Sequence, residues 1–196
     1  MNDPLFEGDD DANTPLNPDE RAGLIPSYIA IRRELNEAEH INIANADKWA
    51  SSRKPNLLDS SVLDKLHERM FNDVWRWAGQ HRTTMKNIGV PAIQIRTAML
   101  QAVDDAKYWI EHKVYSPDEI AIRYSFRLVA IHPYPNGNGR FSRMVADHLM
   151  KQLGHERFSW GGQHFVDPKE ARKAYMAAIH KADAHDFNDL MAFASS

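Results

Sequence analysis

The sequence predicts an all-α protein, a single helical bundle with a small β-hairpin flap, and three observations carry that reading. Apolar residues recur at helical spacing through several long segments. Helix-start signatures of cap, Pro and Glu recur at Asn17-Pro18-Asp19-Glu20, Ser116-Pro117-Asp118-Glu119 and Asp167-Pro168-Lys169-Glu170. Residues 80–96 alone combine β-branched side chains, a Gly89-Val90-Pro91 turn and no helical period. With 196 residues, 43% of them hydrophobic, the chain is about one domain in size and can bury a sizeable core.

Residues 1–17 hold Asp9-Asp10-Asp11 and few apolar side chains, which predicts a flexible acidic N-terminal arm before a domain spanning 18–196. The first start signal opens a short helix that Pro26 stops. Ile31, Leu35 and Ala38 then mark an amphipathic helix from Ser27 to about Arg53, ended by Pro55. Leu63, Leu66, Met70, Val74 and Trp77 predict another from about Ser61 to Ala78, closed by Gly79. Arg82–Ile88 and Ala92–Ile95 read as the hairpin or extended flap. Met99, Val103, Ala106 and Ile110 make Thr97 to about Lys113 helical again.

Two signals compete in the next segment. Ile120, Ile122, Tyr124, Phe126 and Leu128 alternate with Ala121, Arg123, Ser125 and Arg127, which suits a strand. The capping signature at Ser116 and the unbroken run to Ile131 favour a helix buried on several sides, ending at His132. Phe141, Val145, Leu149 and Leu153 line one face of a following helix that Gly154 ends. After an irregular stretch over 155–166, Ala171, Tyr175, Ala178 and Ala182 mark a further helix, and Asp186 to Phe193 a short last one.

Between the two central helices stands His132-Pro133-Tyr134-Pro135-Asn136-Gly137-Asn138-Gly139-Arg140, then Phe141-Ser142-Arg143. Glycines on both sides of Asn138 let the backbone take positive φ and turn N–H groups inward. A helix starting near Gly139 or Arg140 aims its unpaired N–H groups and positive end into the loop. Arg140 and Arg143 share a face of that helix. Backbone donors, a helix start and two guanidinium groups describe a phosphate cradle, with His132 at its rim as a candidate proton acceptor. The dipole of the preceding helix favours a protonated His132 and the arginines disfavour it, so its charge stays open at this level.

Bulk properties exclude several classes. A formal net charge of −3 and no basic helix argue against nucleic acid as a partner. No apolar run is long enough to span a bilayer, and Met1-Asn2-Asp3 begins no signal peptide, so no membrane partner is expected. Cysteine is absent, which fits a cytoplasmic, reducing location. The histidines outside the loop, among them His148, His155, His164, His180 and His185, show no convincing metal-ligand spacing.

The loop resembles the signature of the Fic (Fic/Doc) domain family, His-Pro-Phe-x-(Asp/Glu)-Gly-Asn-Gly-Arg-x-x-Arg. Tyr134 stands in place of Phe and Asn136 in place of the acid; the other fixed positions match. The resemblance implies a protein adenylyltransferase that moves AMP from ATP onto a Ser, Thr or Tyr hydroxyl of a target protein. His132 would be the general base. Asn136, Gly137, Asn138, Gly139, Arg140 and Arg143 would bind the nucleotide, with Tyr175 where the family often carries an aromatic near adenine. Lys86, Asn87, Ile88, Gly89 and Val90 would form the flap that docks the target by strand addition. The family's acid holds Mg²⁺, so Asn136 as a metal ligand implies weaker binding.

The same departure leaves two alternatives open: transfer of another phosphate-linked group, or a non-catalytic nucleotide-binding interaction module. Many relatives are restrained by a glutamate in a Ser/Thr-x-x-x-Glu-Gly/Asn motif, which no stretch here matches. Glu34, Glu37, Glu39 or a separate partner remain as the inhibitory element. The Glu34-Leu35-Asn36 and Trp77-Ala78-Gly79 contexts also resemble a branch on mobile elements called mobile mystery protein B. That would imply a companion antitoxin or helix-turn-helix protein and a toxin–antitoxin role.

Overall fold

In the computed structural model, which describes residues 16–162 and 168–196, eight α-helices follow one another without a strand among the described residues. They are α1 (Pro18–Arg21), α2 (Arg32–Arg53), α3 (Ser60–Phe71), α4 (Ile95–His112), α5 (Pro117–Ile131), α6 (Asn138–Gln152), α7 (Pro168–Asp183) and α8 (Asn188–Ser195). A 3₁₀ turn, Ala92–Gln94, leads into α4. The all-α bundle is as predicted. Of the expected acidic arm, only Leu16 and Asn17 fall among the described residues. Leu16 is buried, and Asn17 caps α1 in a reciprocal box with Glu20.

The competition over residues 117–131 resolves as helix. Ile120, Ala121, Ile122, Tyr124, Ser125, Leu128 and Ile131 are all buried, as expected of an element packed on more than one side. α5 lies against α4, α6 and α8. α2 packs on α3 and α6, and α3 also reaches α4 and α6. Most buried apolar residues form one continuous core around these contacts. A smaller core joins Ile122 of α5 to Tyr175, Ala178 and Ala182 of α7 and to Leu190, Phe193 and Ala194 of α8.

α3 stops at Phe71, seven residues before the periodicity does, because another helix supplies its end. Asn42 of α2 donates to the Arg69 carbonyl at 3.0 Å and accepts the Asp73 N–H at 2.9 Å. The chain then turns through 72–79, with Ile25 N–H on the Val74 carbonyl and Arg76 N–H on the Gly23 carbonyl, both at 2.9 Å. Val74 and Trp77 are still buried, so the apolar spacing predicted burial correctly but not helix.

The expected hairpin departs most. Residues 80–91 run without regular structure and make no ladder with themselves. Their groups bond instead to the end of α5: Arg82 N–H to the Pro133 carbonyl at 2.9 Å and Val90 N–H to the Ile131 carbonyl at 3.2 Å. The buried Arg82 guanidinium takes the Thr84 and Val90 carbonyls that a β ladder would have used. The segment is thus a flap without strands, presenting exposed Met85 and Ile88.

The Tyr124 hydroxyl, buried in α5, donates to the Leu57 carbonyl at 2.9 Å and ties the α2–α3 connection to the central helix. Tyr124→Phe leaves that carbonyl short of its donor and is expected to lower unfolding free energy by about 1–2 kcal/mol. Urea denaturation should show a lower midpoint with an unchanged slope.

Candidate active site

His132 occupies the C-cap of α5 in a left-handed conformation (φ 54, ψ 59). A non-glycine residue there is uncommon and mildly strained, and such strain persists only where surroundings impose it. Three contacts impose it. Arg82 Nε donates to the His132 carbonyl at 2.6 Å, Arg82 N–H holds the next carbonyl, and Gly89 packs directly against the ring's Cβ. A Cβ built on Gly89, itself at φ +102, would meet the His132 Cβ at 2.6 Å.

The imidazole is buried, and burial first, then the Arg82 and Lys86 cations, push its pKa down to about 4. A hydrogen bond to the Val129 carbonyl partly offsets them. Burial first, and then the flap cations rather than Arg140 and Arg143, favour the neutral ring at pH 7. An imidazole donating to a carbonyl through one nitrogen carries its lone pair on the other.

The loop after His132 is held from both sides. The Asn138 side chain, 2% exposed, accepts Tyr134 N–H at 3.0 Å and donates to the Tyr134 carbonyl at 2.9 Å. Below lies His67, fully buried and stacked 3.6 Å from the Tyr134 ring. Its Nδ1 accepts Gly79 N–H at 3.0 Å, so Nε2 carries the proton and donates to the Asn136 carbonyl at 3.1 Å. The Tyr134 hydroxyl ends on Asp64 at 2.8 Å. Tyr134 is therefore a core residue, which accounts for an aromatic at that position.

Gly137 is the N-cap of α6 at φ 80, one residue earlier than expected, and a Cβ there would strike the Phe71 ring at 2.4 Å. At Gly139 the space beyond is open. As the first residues of α6, Asn138, Gly139 and Arg140 carry N–H groups that the helix leaves unsatisfied. The Gly137 N–H is different, since the Asn136 side chain accepts it at 2.6 Å.

Arg140 meets the half-exposed mouth with its Nη1 2.6 Å from Glu39 Oε2. Glu39 is buried on α2, and its other oxygen accepts the Trp75 indole N–H at 2.7 Å. Arg143 lies over the Tyr175 ring at 5.1 Å. Asp147, one turn on along α6, accepts the Trp160 indole N–H at 2.9 Å and the Phe158 N–H at 3.3 Å. Burial raises its carboxyl pKa to about 6. These bonds seat Trp160 beside Tyr175 as a wall.

One groove of about 780 Å³ unites His132, Asn136, Gly137, Asn138, Gly139, Arg140, Arg143 and Tyr175 with Ile88 and Gly89 of the flap. Lys86, Asn87 and Val90 do not line it. The Lys86 amine turns inward to Glu20 instead, its side chain 5% exposed. Sequence reasoning missed Arg82, His67, Asp147 and Trp160, and offered Glu39 only as one of several candidate inhibitory glutamates. A buried arginine or a neutral buried histidine has no periodic signature, so only the contacts identify them.

The family resemblance implies Mg²⁺, and the donor set fits it poorly. Asn136 offers one neutral carboxamide oxygen that already accepts an amide proton. No group of three or more His, Asp or Glu among the described residues is arranged to hold a metal ion.

The fold is a helical bundle whose central helix–loop–helix lines a cationic groove beside a buried imidazole. Residues 57–150 match the model of the Fic/DOC family. It is 26% identical over 119 residues to protein adenylyltransferase fic-1 of Caenorhabditis briggsae, covering 59% of this chain and 22% of that protein. The chain thus spans less than a quarter of that relative's length. Fic-1 of C. elegans superposes with a TM-score of 0.66 at 22% identity, over 89% of this chain and 51% of that one. The BepC effector of Bartonella tribocorum, solved with bound AMPPNP, gives 0.67 at 18% identity over 91% and 97%. These likenesses are of fold. No helix among the described residues is long and apolar enough to cross a membrane.

Two outcomes follow from this geometry. Asn136→Asp, adding a charged oxygen at the mouth, should make nucleotide affinity respond several-fold more to Mg²⁺ than the wild type does, as calorimetry in Mg²⁺ and in EDTA can show. Acid should also weaken the fold. His67 is held down to about 3 by burial and His132 to about 4, against an ordinary 6.5. The unfolded chain then binds more protons, so stability is lost as pH falls from about 6.5 toward 4, at roughly 1.4 kcal/mol per pH unit for each ring. Asp147, raised from 3.8 to about 6, opposes this over its own range. His67→Gln, which can keep both hydrogen bonds without titrating, should flatten the pH dependence of urea unfolding.

Proposed function

We propose that this protein transfers AMP from ATP to a hydroxyl side chain of a target protein. The observation that carries the reading is the groove itself, where a neutral imidazole, a helix N-terminus and two arginines converge. The target hydroxyl attacks the α-phosphorus, a new P–O bond forms, and the α–β bond breaks with its electron pair leaving on pyrophosphate. His132 takes the hydroxyl proton. Such chemistry needs mainly positioning and charge stabilisation. The α6 amides and Arg140 would hold the inner phosphates, Arg143 the terminal one, and Tyr175 with Trp160 the base side of the groove. The AMPPNP bound in the BepC structure supports the same ligand class. In the family the loop resembles, phosphate transfer goes with a changed glycine–lysine pattern, and Gly137-Asn138-Gly139-Arg140 is of the adenylyl-transferring type.

Asn138 acts in this reading through its backbone, since its side chain braces Tyr134. Glu39 competes with phosphate for Arg140 and is the chain's own candidate restraint. A companion helix-turn-helix protein, as in the mobile mystery protein B branch, is the partner this reading extends to.

Labelled ATP, with label on the α-phosphate, should mark protein in a lysate with wild type and not with His132→Ala. Intact mass should show an added adenylyl group; label retained only from the γ-phosphate would replace AMP transfer with phosphate transfer. Glu39→Gln, removing the charge that engages Arg140, should tighten ATP binding by about tenfold, as a released charge-assisted bond implies. Polyphosphate near His132 raises its pKa, so the acid limb of turnover at saturating ATP should lie above pH 4.

A further inference from the structure

We propose that Arg82 is the positioning residue of this site, joining the flap and the peptide of His132 into one mechanical unit, so that seating a target also orients the base. This rests on the transferase reading for the word base, but the geometry stands without it. Arg82 is 3% exposed and lies fifty residues before His132 in the chain. Its Nε holds the His132 carbonyl, one terminal nitrogen holds Thr84, and the other reaches Val90 and, at 3.4 Å, Ile131. The fork therefore takes two carbonyls from the flap and two from the end of α5. Those α5 carbonyls are among the last of a helix and have no partner within it. A cation is also suited to that negative helix end.

A planar fork can serve four acceptors on two segments; an ammonium cannot do so in the same geometry. Backbone bonds from Arg82 to Pro133 and from Val90 to Ile131 run on either side of the fork, and Gly89 closes the gap against the imidazole. Displacing the flap thus pulls on the carbonyl that sets the left-handed turn of His132. The charged groups facing the ring are Arg82 and Lys86 of the flap. Lys86 is paired with Glu20 of α1. Across the groove, Arg140 of α6 is paired with Glu39 of α2. Arg82 thus also adds a fixed positive charge beside the base, through groups that geometry has already placed.

Arg82→Lys keeps the charge and loses the fork; Arg82→Gln loses both. Nuclear magnetic resonance of the full chain would follow the His132 ring titration and the exchange of the Val90 N–H. In Arg82→Gln the ring's midpoint should rise by roughly one pH unit. In Arg82→Lys it should stay, while Val90 exchange quickens and target modification falls between about ten- and a hundredfold, with target KM and kcat both affected. An unchanged midpoint in Arg82→Gln, or a Val90 amide as protected in Arg82→Lys as in wild type, would overturn the proposal. Should Arg82→Gln fail to fold, Arg82→Lys decides through exchange alone. Both resonance readouts need no substrate, so a wild type without transferase activity would refute the reaction and still test Arg82.

Discussion

The end of α5 is the constraint on which the site depends. A helix buried on several sides has carbonyls at its C-terminus that water cannot easily satisfy, and leaving them bare in the interior would be costly. Here the guanidinium of Arg82 and the backbone N–H groups of Arg82 and Val90 meet them. Because the same groups belong to the flap, capping the helix and placing the flap are one event. The left-handed turn at His132 follows from that capping, and the loop begins in the direction the turn sets.

Rigidity continues through the loop by buried side-chain contacts. Asn138 clamps the Tyr134 peptide, and neutral His67 clamps the Asn136 carbonyl while stacking on Tyr134. Phe71 fills the space where any residue but glycine at 137 would place a Cβ. A site that handles phosphates through fixed dipoles gains from such stiffness, since its donors need not reorganise when charge arrives.

Electrostatically the groove sets fixed cations against buried carboxylates. Arg140 and Arg143 face it, Arg82 and Lys86 stand behind His132, and Glu39 on α2 is the carboxylate paired with Arg140. Trp75 keeps Glu39 in that place by a hydrogen bond, so the pair is built rather than a passing surface contact. An ion pair of this kind holds the arginine ready while offering it a competitor that a polyanion must displace.

Much of the fold was legible from local rules. Caps with Pro and Glu located α1, α5 and the start of α7, apolar spacing located α2, α4 and α6, and the loop's residue types pointed to phosphate chemistry beside His132. Those signals act within a few residues, where backbone geometry and burial of one face suffice. What the chain alone left open was decided across distance. Asn42 ended α3 early, the carbonyls of α5 drew the flap away from a hairpin, and burial with Arg82 beside it favours the neutral imidazole. Glu39 found Arg140 from 101 residues away. Each depends on which element satisfies another's unpaired groups, and a linear pattern carries no record of that pairing until the helices pack.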